Sequence, residues 1–132
     1  MIPWNKISIT GIVVLGITWL LTLWHYPSLP NEIPIHFGLS GQADRWGDKG
    51  MIFFMPFLGS FLTFIILFIS QHPQTFNYPV KITEENKERQ AVLAQQMTHY
   101  LLLVINLLFL SLVSDSIDVA LGNIKTLRTL WL

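Results

Sequence analysis

The chain has no cysteine among its 132 residues. That excludes a disulfide scaffold, a thiolate metal site, a lipid-anchored N-terminal cysteine and thiol catalysis. Charge is also scarce. Asp, Glu, Lys and Arg make up 12% of the chain, about half of the roughly 25% found in ordinary globular proteins. A small domain has much surface for its volume and needs charge to cover it, so water is not the only solvent this chain meets. The acidic and basic counts cancel at eight each, which removes the basic footprint of a nucleic-acid binder. Hydrophobic residues at 52% exclude a disordered chain. No nucleophile–base pair, phosphate-binding glycine loop or protease signature is present. The reading is therefore not an enzyme, and no cofactor is expected.

The charges that exist are clustered. Lys6 stands alone, Glu32 to Lys49 form one group, Lys81 to Arg89 a second, and Asp115 to Arg128 a third. Residues 7–31, 50–80 and 90–114 carry none. A bilayer core of about 30 Å needs about 20 apolar helical residues, and each gap can hold such a segment. The expected architecture is all-α and integral to the membrane, with spans at about 7–26, 51–70 and 91–114. They make a membrane domain over 1–114, with an external loop at 27–50 and a cytoplasmic loop at 71–90. Trp24 and Tyr26 mark an interface, and Pro27 ends the first helix because it lacks a backbone donor. Pro56 sits in the first turns of the second span, where it is tolerated or causes a kink. Gly59, Ser60 and Thr63 are small enough to face a neighbouring helix, and Asn106 is placed to hydrogen-bond across helices. Thr83 is the expected N-cap of the third helix, with Glu84 and Glu85 in its first turn and Glu85–Arg89 spaced as an ion pair. No cleavage site follows the first span, so it is read as retained.

Basic residues are split evenly, four to each side. Setting the tail aside gives four against two and places the N-terminus inside. Ile117, Leu121, Ile124, Leu127 and Trp131 recur at helical spacing. The tail, 115–132, thus reads as an amphipathic helix at the interface, with a break at Gly122-Asn123. In the external loop, Ile33, Ile35 and Phe37 alternate as a short strand, Pro34 favours an edge, and Gly38 and Gly41 mark turns. Phe37 and Trp46 are expected to pack on each other or on the bilayer. Asp44, Arg45, Asp48 and Lys49 read as a local ion-pair and turn network. His36 with Glu32, Asp44 and Asp48 is the one cluster with metal-ligand chemistry, but its spacing matches no metal motif. No metal site is assigned, and a metal-responsive sensor stands as an alternative. His25 and His99 read as histidines near the interfaces.

The loop residues Pro30, Pro34, His36 and Phe37, then Gly41, Asp44, Trp46, Gly47 and Lys49, fall in a pattern that resembles the signature of SdpI-type bacterial membrane proteins, which share domain of unknown function 1648. The second loop, with Asn77, Pro79, Thr83, Glu85, Asn86, Arg89 and Gln90, also looks like that family's cytoplasmic segment. The resemblance covers roughly residues 7–122. It implies a multi-pass protein of the bacterial cytoplasmic membrane, with the first loop outside. For the family's name-giving members it implies immunity to a secreted peptide toxin, with signalling to a repressor or other protein at the inner face; the expected contact is through the loop, with Trp46, Phe37 and the Ile33/Ile35 face supplying apolar surface. Longer relatives continue past a segment like Val119-Ala120-Leu121-Gly122 into a fourth span. Here Asn123 to Leu132 follow instead, so a short member is expected. The competing expectation is a small structural membrane subunit.

Overall fold

The computed structural model describes residues 5–128. The order is α1 (Lys6–His25), a hairpin of β1 (Glu32–Phe37) and β2 (Ala43–Asp48), α2 (Phe54–Ser70), and α3 (Lys87–Ala120), with short 3-10 turns at Tyr26–Ser28, Lys49–Phe53 and Pro73–Thr75. α3 packs against both α1 and α2. Three helical segments, Lys6–Ser28, Lys49–Ser70 and Lys87–Ala120, are long and apolar enough to cross a membrane. α3 rises about 50 Å over its 34 residues, well beyond a 30 Å hydrocarbon core, so its ends stand outside that core.

The helices are polar inside and apolar outside. On α1 the buried face is Ser8, Gly11, Val14, Thr18 and Thr22, while Val13, Ile17, Leu20 and Trp24 are exposed. α2 buries Pro56, Gly59, Thr63 and Ser70 and exposes Phe57, Phe61, Phe64 and Phe68. Such a bundle would precipitate in water. In lipid it is the favoured arrangement, because small residues let backbones approach and the phenylalanines meet acyl chains. The buried threonines stay satisfied by donating to their own helix, Thr18 to Val14 O at 3.0 Å and Thr22 to Thr18 O at 2.8 Å.

Asn106 ties all three helices together. Its Nδ2 donates to Gly11 O on α1 at 3.1 Å and to Thr63 Oγ1 on α2 at 3.0 Å. The first bond needs close backbones, and Gly11 supplies that closeness: a Cβ there would lie 2.1 Å from Leu102 Cδ2. Trp19 Nε1 adds a bond to Ser60 Oγ at 3.0 Å. Gly59, Ser60, Thr63 and Asn106 thus do what their chemistry predicts. Pro56 is the third residue of α2, where its missing donor costs the helix nothing.

Two helix ends differ from expectation. α3 begins at Lys87, not after Thr83. Asn86 Oδ1 accepts from Thr83 N at 2.9 Å and its Nδ2 donates to Lys81 O at 3.0 Å, holding 83–86 as a separate turn. The ion pair there is Lys87–Glu84 rather than Glu85–Arg89. At the other end, the expected tail helix over 115–132 does not form within the described residues. Residues 115–120 instead complete α3. Gly122 then takes φ +76°, with Asn123 N bonded to Asp118 O at 2.8 Å and Gly122 N to Val119 O at 3.1 Å. That is a Schellman stop, which glycine enters without steric cost. Residues 123–128 fold back towards the hairpin, and Trp131 lies outside the described residues.

Candidate functional site

The hairpin and the returning tail form a cap over one end of the bundle. Leu29, Ile33, Ile52, Val113 and Ile117 make a buried apolar cluster beneath it, with Tyr26 and Phe53 packed alongside. This cluster seats β1 against the end of α3. β2 carries no hydrophobic alternation, because both its faces are largely exposed, and periodicity therefore does not reveal it. Lys49 N closes the hairpin base on Asn31 O at 2.9 Å. At the tip, Gly41 takes φ +76° and donates to Gly38 O at 2.9 Å.

Pro34 pairs with Trp46, and the ladder then shifts register before His36 and again before Phe37. A proline has no donor for the ladder, and irregularities of this kind re-aim side chains. Here His36 Nδ1 meets Asp44 Oδ1 at 2.6 Å, both half-exposed. Asp44 therefore pairs with His36 and not with Lys49. Asp48 caps the following turn by accepting from Gly50 N at 2.7 Å. Lys49 lies 5.0 Å over the Tyr26 ring, a cation–π contact. The expected network among Asp44, Arg45, Asp48 and Lys49 thus resolves into these three separate contacts. No group of three or more His, Asp or Glu side chains among the described residues is arranged to hold a metal ion.

The remaining loop residues have distinct places. Pro34 is buried, and Phe37 is half-buried beside a small apolar cavity of about 90 Å³ that Ile33, Ile52 and Val113 also line. Gly47 lies under Ile35, where a Cβ would come within 2.9 Å of Ile35 Cδ1. Pro30 is exposed. Trp46 is 49% exposed and Ile35 39%, but they do not share a face: Ile35 lies over Gly47 and lines the cavity, whereas Trp46, the residue before Gly47, alternates to the other side.

Tail contacts are invisible to sequence periodicity. Thr126 bridges Gln42, and Leu127 N donates to Gly41 O at 2.9 Å. Leu127 is buried. Asp115, 2% exposed, receives Arg128 N and Arg128 Nε at 2.8 Å each, and Arg128 reaches Asp118 at 2.5 Å. The hydrogen bond to Asp115 holds the guanidinium charged above its already high value. A buried carboxylate at a helix end would be costly alone, and this clasp pairs it.

The opposite end carries the second motif. An open, mainly apolar groove of about 820 Å³ runs between residues 76–79 and the first turns of α3. Asn77, Pro79 and Gln90 line it, with Tyr78, Met97 and Leu101. Thr83 and Asn86 build the turn before α3, with Glu85 exposed within it and Arg89 exposed on the first turn of α3. The two sets of motif residues therefore sit at opposite ends of the bundle and share no site.

Comparison with known proteins matches residues 13–59 to the model of a domain of unknown function, DUF1648. That stretch runs from α1 through the hairpin into α2, about a third of the chain. An uncharacterized protein of the archaeon Archaeoglobus fulgidus is 31% identical over 58% of this chain. The match takes in 50% of that protein, so the chain spans about half the length of the curated relative. No solved structure matches. The chain is thus similar over residues 13–59 to a domain of unknown function, DUF1648, and has three helices long and apolar enough to cross a membrane.

Proposed function

We propose that the chain is a binding protein of the bacterial cytoplasmic membrane, not an enzyme, with its N-terminus inside and its hairpin cap outside. In this reading the cap engages a secreted peptide toxin, as the SdpI-type resemblance implies, and the chain acts as an immunity and signalling protein. The observation that carries it is an exposed aromatic side chain, Trp46, on a hairpin anchored through Ile33 to the end of α3. Exposed aromatics on a rigid support make strong contacts at little entropic cost. Arg45 and the His36–Asp44 pair would then set specificity at the rim. Asn77, Pro79 and Gln90 on the groove at the other end would form the face that meets a repressor or other cytoplasmic partner.

The test is expression in a bacterium that is killed by its own secreted peptide toxin once its immunity protein is deleted. Wild type should restore growth, and Trp46→Ala should restore it poorly at equal membrane abundance. No protection by wild type, or equal protection by both, removes the immunity reading. The second reading, a small structural membrane subunit, is favoured by the open 820 Å³ groove, and stable co-purification with a larger membrane partner would support it.

A further inference from the structure

Gln95, His99 and Asn106 lie along the buried stripe of α3, each at most 4% exposed. Each has a buried polar atom with no hydrogen-bond partner among the described residues: Gln95 Oε1, His99 Nδ1 and Asn106 Oδ1. Inside a membrane bundle no lipid can satisfy such atoms, so something polar must. Asn106 has its amide engaged by Gly11 and Thr63. Gln95 and His99 have no comparable clasp among the described residues and lie further towards the end opposite the hairpin.

Helical register shows what surrounds them. α1 and α3 run parallel with Gly11 against Leu102. Three residues back along both helices, Ser8 comes level with His99. α2 runs antiparallel to α3 with Thr63 bonded to Asn106. Seven residues on along α2 and seven back along α3, Ser70 reaches the same level. Ser8 and Ser70 are both buried. Their hydroxyls donate to Asn5 O and Leu67 O, which leaves their oxygens able to accept. Leu102, fully buried in the notch at Gly11, closes this layer off from Asn106.

We propose that Ser8, Ser70, Gln95 and His99 enclose an internal water site, reached from the aqueous phase at the end opposite the hairpin and sealed above by Leu102. The chemistry selects water. Gln95 Oε1 needs a donor, the serine oxygens can accept from one, His99 Nδ1 takes either role according to its tautomer, and none of the four carries a permanent charge to hold an ion. The path to solvent is short, since Lys6 and His72 stand two residues beyond Ser8 and Ser70 and are exposed. The site gives His99 a route for exchanging protons with that side of the membrane.

The native chain has no cysteine, so single cysteines report accessibility without background. In proteoliposomes, Gln95→Cys and His99→Cys should react with a small charged thiosulfonate at least about tenfold faster than Leu102→Cys, because only a hydrated thiol ionises. Equal rates at all three positions overturn the proposal. Substitution can itself admit water, so the native chain decides. In water-edited solid-state NMR of histidine- and leucine-labelled protein in bilayers, His99 should gain polarisation from water as fast as exposed His72. Build-up as slow as that of the Leu102 methyls refutes the site whatever the cysteines do.

Discussion

Replacing Gly11 by alanine is expected to force α1 away from α3. The new Cβ would sit 2.1 Å from Leu102 Cδ2, more than an ångström inside ordinary contact. Leu102 is fully buried, so the helices must part or the leucine must leave its rotamer. Overpacking of this kind costs about 1–3 kcal/mol. Separation also stretches the Asn106 bond to Gly11 O, worth about 0.6–1.7 kcal/mol, while alanine returns about 1 kcal/mol of helix propensity. Gly16, on the same helix, has nothing within 4 Å of its virtual Cβ. Gly16→Ala should therefore be neutral or stabilise by up to about 1 kcal/mol. The two variants should differ by about 2–4 kcal/mol, read as the SDS fraction at half-unfolding in mixed micelles by circular dichroism. Gly11→Ala should also cost less in a Leu102→Ala background, as two substitutions that share one contact are coupled. Identical midpoints for Gly11→Ala and Gly16→Ala would refute the close packing of α1 on α3.

Three further outcomes follow from the same structure. Asn106→Leu removes the bonds to Gly11 and Thr63 and should destabilise the bundle by about 0.6–2 kcal/mol in the same assay; no change means that the clasp does not hold the helices. Arg128→Ala leaves the buried Asp115 carboxylate without its cation and should free the tail, seen as faster tryptic cleavage after Lys125 than in wild type, and unchanged cleavage contradicts the clasp. Gly47→Val drives a side chain into Ile35 and should loosen the hairpin, with faster amide exchange in β1 and β2 than in α1.

What composition and charge placement determined is the membrane architecture. Three uncharged stretches of sufficient length leave few alternatives, since backbone groups in lipid must pair within their own helix. The roles of Asn106 and Thr63 were legible for the same reason: a polar group in a span must find a partner on a neighbouring helix. The strand at 32–37 was legible because Ile33, Ile35 and Phe37 alternate along it, although burial does not follow that alternation: adjacent Ile33 and Pro34 are both buried and Ile35 is exposed. β2 was not, because an exposed strand carries no periodic signal. The tail misled for a related reason. Ile117, Leu121, Ile124 and Leu127 keep helical spacing, yet the positive φ at Gly122 and the pairing of Arg128 with Asp115 outweigh it. Periodicity reports local preference, whereas the clasp joins residues that only the folded helix end and hairpin bring together. The same holds for His99, which sequence places near an interface and the bundle buries, because the level of a helical residue against its neighbours is decided by interhelical register.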